Sequence, residues 1–245
     1  VERAMTIKIT LIALVLLGII GGTIGAIGTK RNSSNLSKSQ EEFPKGSLLW
    51  YVQQAKAQGQ KEITIGPTTV EYGGSSNTTT LDKVLHLYNG IISTPIKRMT
   101  LPYAGEEIVT WYKFKTVEVL SKTSEAMLTE ENSVLPPEQL LPIADDEFVI
   151  AEYGGSLVMN GIKLVKPFEY PPFEISKQYL MFIRRSPSGK GEIVGGPIGA
   201  FNISNDGNIA PISNMQHPLI KTLNNTYNNS LNGIREGLAF KATQR

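Results

Sequence analysis

From Ile9 to Gly28 the chain runs twenty residues without a charged side chain, with Ile, Leu and Val dense in the first half and Gly and Ala in the second. A run of that length spans a bilayer core as a helix. Two readings fit: an uncleaved anchor, or a signal peptide whose apolar part is Ile9 to Ile20 and whose cleavage follows Gly28. Lys30 and Arg31 stand directly behind that cleavage point and hinder translocation of a new terminus, which favours the anchor. Gly18, Gly22 and Ala26 recur every four residues, the spacing of a face on which membrane helices pack closely. Residues 1–28 are thus expected to be a transmembrane or signal helix that carries the body of the protein out of the cytoplasm. Residues 29–45 are polar and rich in Ser and Asn, a linker with too little apolar surface to offset its ordering entropy.

Beyond the linker the period is first helical. Ser47 caps an expected helix with Leu48, Leu49, Val52 and Ala55 on one side and Gly59 at its end; Thr80 caps a second, LDKVLHLYN, with Gly90 as its terminator. After Gly90 the period drops to two. IISTPIKRMTL, EEIVTWYKFKTVEVL, FVIAEY, SLVM-NG-IKLV, QYLMFIRR, GEIVGG and GAFNIS-NDG-NIAPI read as strands, and Asn160-Gly161 is a two-residue hairpin signal. The stretch SKTSEAMLTEENSVLPPEQLLPIADDE between two of them reads as an excursion with a short helix. From His217 onward, Leu219, Leu223, Tyr227, Leu231, Ile234 and Leu238 mark one amphipathic helix. The expected fold is α+β, mainly antiparallel β as a small barrel or sandwich: residues 46–216 form the β-rich domain with two N-terminal helices, and 217–245 the final helix.

Composition narrows the chemistry. The chain has 24 basic and 22 acidic residues, a net charge of +2, with none of the basic excess that a nucleic-acid partner requires. It has no cysteine and two histidines, His86 and His217, so disulfides, thiolate catalysis, Fe–S clusters and Cys/His zinc sites are excluded. No cofactor motif occurs. Gly154-Gly155-Ser156 lacks the closing glycine of a nucleophile elbow, and SPSGKGE lacks the early glycine and trailing hydroxyl of a phosphate loop and reads as a hairpin turn. Asn202 to Gly207 opens like a calcium loop, but Ser213 stands where a bidentate Glu belongs; a plain Asn205-Asp206-Gly207 turn is expected.

Two carboxylate clusters, Glu106-Glu107 and Asp145-Asp146-Glu147, are the one route to a hydrolase, metal-assisted or not, if they converge. Solvated strand starts are the simpler expectation. Aromatic residues gather at Trp111, Tyr112 and Phe114, with Trp111 on the opposite strand face from the other two, and in KPFEYPPFEI. Trp111, Phe168, Tyr170 and Phe173 are the candidate binding surface.

The succession VTWYKFKTVEVL, EYGGSLVMNG, KPFEYPPFEISKQYLMFI and GGPIGAFNISNDGNI, spanning roughly Leu81 to Ile212, resembles an uncharacterised group of exported bacterial proteins. The resemblance implies a small exported β-barrel-like domain and brings no reaction, cofactor or catalytic residue. The expected function is an exported, membrane-tethered binding or accessory domain, its partners the membrane and a protein of an envelope assembly.

Overall fold

The computed structural model describes residues 43–66, 80–128, 136–214 and 216–243. The apolar segment and its Gly18, Gly22 and Ala26 face lie outside the described residues, as does nearly all of the linker. No helix among the described residues is long and apolar enough to cross a membrane.

Helix α1 (Leu48–Ala57) starts where Ser47 accepts a hydrogen bond from the Trp50 backbone N–H, and its buried Leu48, Val52 and Ala55 recur at helical spacing. Helix α2 (Leu81–Leu87) is capped by Thr80 in the same way. It stops sooner than the sequence suggests: Tyr88 is already extended, and Gly90 is not a terminator but part of strand β2 (Asn89–Tyr103). A side chain on Gly90 would collide with Ser121 and press on Phe182, so the glycine serves close strand packing.

Strand β2 pairs along its length with β3 (Glu107–Ser121), which pairs in turn with β4 (Glu147–Tyr153). Pro95 cannot donate to a ladder, and the register shifts between it and Lys97 as a bulge. The hairpin of β5 (Gly155–Met159) and β6 (Ile162–Lys166) turns at Asn160 and Gly161, both with positive φ. It forms a three-stranded sheet with β1 (Glu62–Thr64). In the larger sheet β7 (Tyr179–Arg185) pairs with β2, with β8 (Gly191–Ile193) and with β9 (Ala200–Ile203), and β10 (Ile209–Pro211) lies outermost. The class is therefore α+β with mostly antiparallel sheets. The sheets do not close into a barrel: one isolated bridge, Val149 to Lys190, joins β4 to the β7–β8 turn.

The C-terminal amphipathic stretch is two helices, α3 (Pro218–Tyr227) and α4 (Leu231–Thr243), rather than one. Asn228 and Asn229 both adopt left-handed backbone, which asparagine tolerates better than most residues. The break is held from outside the helices, since Ile209 N–H donates to Asn229 C=O and Leu231 N–H to Gly207 C=O. The apolar positions nevertheless point inward as their spacing requires. Leu219, Leu223, Leu231, Ile234 and Leu238 share a core with Ile92, Leu180, Phe182 and Phe201 of the sheet. His217 accepts from Leu219 N–H as the cap of α3, and burial lowers its pKa.

A second core lies on the other face of the sheet. Tyr112, Phe114 and Phe148 meet Phe173, which comes from the segment connecting β6 to β7. Phe173 stands edge-on to Tyr112, Phe114 and Tyr179, with ring centroids 5.4, 5.0 and 4.9 Å away. On the opposite face of β3, Val109 and Trp111 are covered by Leu140, from a 3-10 turn (Glu138–Leu140) of the excursion, and flanked by Ile143. From Ile108 to Phe114 both faces of this strand are thus interior, whereas its sequence suggests one face free for a partner; only further along do Val117 and Val119 stand exposed.

Candidate functional site

Cross-strand pairing builds an uninterrupted row across three strands. Thr100 of β2 faces Thr110 of β3, which faces Glu152 of β4; one step along, Arg98 faces Tyr112, which faces Ile150. Directly paired residues share a face, so a carboxyl group, two hydroxyls, a phenol and a guanidinium are brought together on the same side as the aromatic core.

Glu152 is 5% exposed. The Tyr170 hydroxyl donates to its Oε1 at 2.6 Å, whereas its Oε2 is buried without a hydrogen-bond partner. Burial pushes the carboxyl pKa up to about 8, with the Tyr170 hydrogen bond acting the other way. Near neutral pH the group is therefore mostly a neutral acid. The Tyr112 hydroxyl is the other buried side-chain polar atom without a partner among the described residues. Burial and the proximity of Glu152 raise its pKa, and the nearby Arg98 guanidinium opposes that rise. Buried polar atoms lacking partners are uncommon, and two of them sit on neighbouring strands at one place.

Beside this row, between the β2–β3 pair and the β5–β6 hairpin, lies a cavity of about 300 Å³ lined by Arg98, Thr100, Thr110, Ser156, Lys166 and Phe168. Thr110 donates to Gly154 C=O at 2.7 Å, so in its 2.9 Å contact with Thr100 it is the acceptor. Lys166 is nearly buried and ion-paired with Glu107. Arg98 forms no ion pair among the described residues. Gly155, with φ of 122°, closes one wall, where a side chain would meet both threonines. Gly155→Ala is expected to cost about 1–3 kcal/mol through backbone strain and overpacking, read from the denaturant midpoint.

Of the residues singled out in the sequence, Trp111 and Phe173 are 3% and 1% exposed and present no surface to a partner. Phe168 and Tyr170 are half-buried and belong to the site, one lining the cavity and the other bonded to Glu152. The two carboxylate clusters do not come together. Glu107 lies at the start of β3, while Glu147 pairs with Lys115 eight residues further along that strand, roughly 27 Å at the usual rise. Glu147 is held by Lys113 at 2.6 Å and by the Ala144 N–H, which lowers its pKa, and Asp146 pairs with Lys115 at 3.5 Å. No group of three metal-ligating side chains exists among the described residues.

The calcium-like loop is a turn whose Asp206 accepts from Ser204 and Asn208. The groove of about 850 Å³ beside it is bordered by the Glu174–Lys177 ion pair and by Ser204, whose hydroxyl donates to Asn208 C=O. Glu152 and Arg98 were not anticipated as site residues. One signal for Glu152 was present: in FVIAEY, Phe148, Ile150 and Glu152 share one parity, which places a lone carboxylate on an apolar face.

No family model, curated protein or solved structure matches this chain.

Proposed function

We propose that this protein is an exported, membrane-tethered binding domain, an accessory component of a bacterial envelope assembly, as its resemblance to a group of exported bacterial proteins implies. The observation that carries the reading is the twenty-residue uncharged apolar run from Ile9 to Gly28 ahead of a polar linker and a folded body. The site is consistent with binding: it holds one neutral acid, hydroxyls engaged with each other, and a guanidinium at the edge of a cavity. A hydrolase built on the clustered carboxylates needs Glu106, Glu107, Asp145, Asp146 and Glu147 in one concave place, and their separation along β3 gives that alternative no support.

The chain has no cysteine, and Val158, on the β5–β6 hairpin, is 71% exposed. In the full chain carrying Val158→Cys, a maleimide that cannot cross the inner membrane is expected to label the protein in intact cells, with the labelled chain in the membrane fraction. Labelling only after lysis would sink the export reading. Mass spectrometry of a native chain beginning at Thr29 would remove the tether and leave a secreted form.

A further inference from the structure

We propose that the cavity between the β2–β3 pair and the β5–β6 hairpin binds a small monocarboxylate, with Arg98 as its charge partner and Phe168 against its apolar body. The inference deepens the binding-domain reading and rests on it only in treating the cavity as a ligand site. It starts from charge. The described residues lining the cavity include two cations, Arg98 and Lys166, and no carboxylate. The charge of Lys166 is already matched by Glu107, and Glu152, behind Thr110, is mostly neutral near pH 7. Among the described residues one positive charge is left without an ion-pair partner, on Arg98. A planar guanidinium offers two parallel N–H groups that match the two oxygens of a carboxylate. Arg98 is itself exposed, so it meets the carboxylate at the mouth of the cavity, and a second charge on the ligand, carried further in, would have no free cation among the described lining residues.

The remainder of the wall fixes the ligand's other end. Phe168, Pro167 and Val165 supply apolar surface, and Ser156, the cross-strand partner of Val165, adds a hydroxyl to the same wall. The threonine hydroxyls are occupied by each other and by Gly154 C=O, so they present a closed polar wall rather than open donors. A volume of about 300 Å³ lies at the small end of ligand pockets, which suits a compact ring or short branched chain beyond the carboxylate. Of the two unpartnered buried atoms, the Tyr112 hydroxyl lies on β3, which also gives Thr110 to the cavity wall, and Glu152 Oε2 lies one strand further, on β4, where Glu152 pairs with Thr110. Glu152 does not line the cavity itself; it stands behind Thr110 as a side chain 95% removed from solvent with one oxygen unused.

Benzoate is the probe, because benzamide has nearly the same shape without the charge. Thermal unfolding of the full chain in detergent, followed at fixed ionic strength, is expected to shift upward and saturate with benzoate and to stay put with benzamide, since a ligand that binds only the folded state stabilises it in proportion to its occupancy. Arg98→Gln is expected to weaken the benzoate effect at least tenfold, whereas Lys115→Gln, which removes the same charge from a surface ion pair elsewhere on β3, changes it less than twofold. Ser156→Phe, at an exposed position lining the cavity, is expected to abolish the effect while leaving the unliganded transition in place, and so reports on the space independently of the charge.

Equal shifts with benzoate and benzamide, an undiminished response in Arg98→Gln, or no saturable shift up to about ten times a millimolar Kd would each overturn the proposal. Any of these beside positive maleimide labelling at Val158→Cys would discard the ligand and keep the exported domain.

Discussion

Replacing Glu152 by glutamine is expected to make the protein progressively more stable than the wild type as pH rises from about 5 to 8. The folded-state carboxyl titrates near 8 and its ordinary value is 4.5. Between those values the unfolded chain has lost the proton and the folded chain keeps it, so the folded state binds more protons and wild-type stability falls with rising pH. The contribution is greatest below the ordinary value, declines by up to about 1.4 kcal/mol per pH unit, and levels off above the folded-state value. Glutamine carries no charge at any of these pH values and still accepts the hydrogen bond from Tyr170. Denaturant unfolding of both proteins across this range, with the two stabilities subtracted, cancels every other titrating group and isolates Glu152. Parallel curves would mean that the carboxyl is not held neutral by burial.

The second large effect belongs to Phe173. Its ring is 1% exposed and stands edge-on to three others, so Phe173→Ala removes the centre of the aromatic cluster as well as the anchor of the segment between β6 and β7. A loss of about 3–5 kcal/mol is expected, the range for deleting a buried phenylalanine ring, with Phe173→Leu costing less because it refills part of the space. The same segment carries Tyr170 to Glu152, so Phe173→Ala also frees the lid over the buried acid. Native-state proteolysis is expected to cut the variant between Lys166 and Tyr179 before global unfolding, and an uncut segment would show that Tyr170 alone holds it.

Local chemistry carried much of the fold. Ser47 and Thr80 could be read as caps because a side-chain oxygen before an apolar helical run has one obvious use, and Asn160-Gly161 because few residue pairs adopt two successive left-handed positions. The break between α3 and α4 could not be read that way. The asparagines weaken the helix there, but its position is chosen by β10 and the Gly207 turn, which are close only in the folded molecule. For the same reason the second face of β3 looked open: its cover, Leu140, comes from an excursion whose sequence resembles a surface loop. The site was the least legible part. Glu152 could have been noticed by parity, but its burial depends on Tyr170 reaching it from another segment, and nothing local marks Arg98 as the partner of Tyr112.

The burial of Trp111 between two covered faces of β3 turns the chain's own indoles into separate reporters. Of the two tryptophans, Trp50 sits half-buried on α1 in edge contact with Tyr51, while Trp111 is sealed beneath Leu140 on β3, between β2 and β4. With Trp50→Phe, the remaining fluorescence follows one strand at the heart of the molecule, and its red shift on heating dates the moment at which water first enters there.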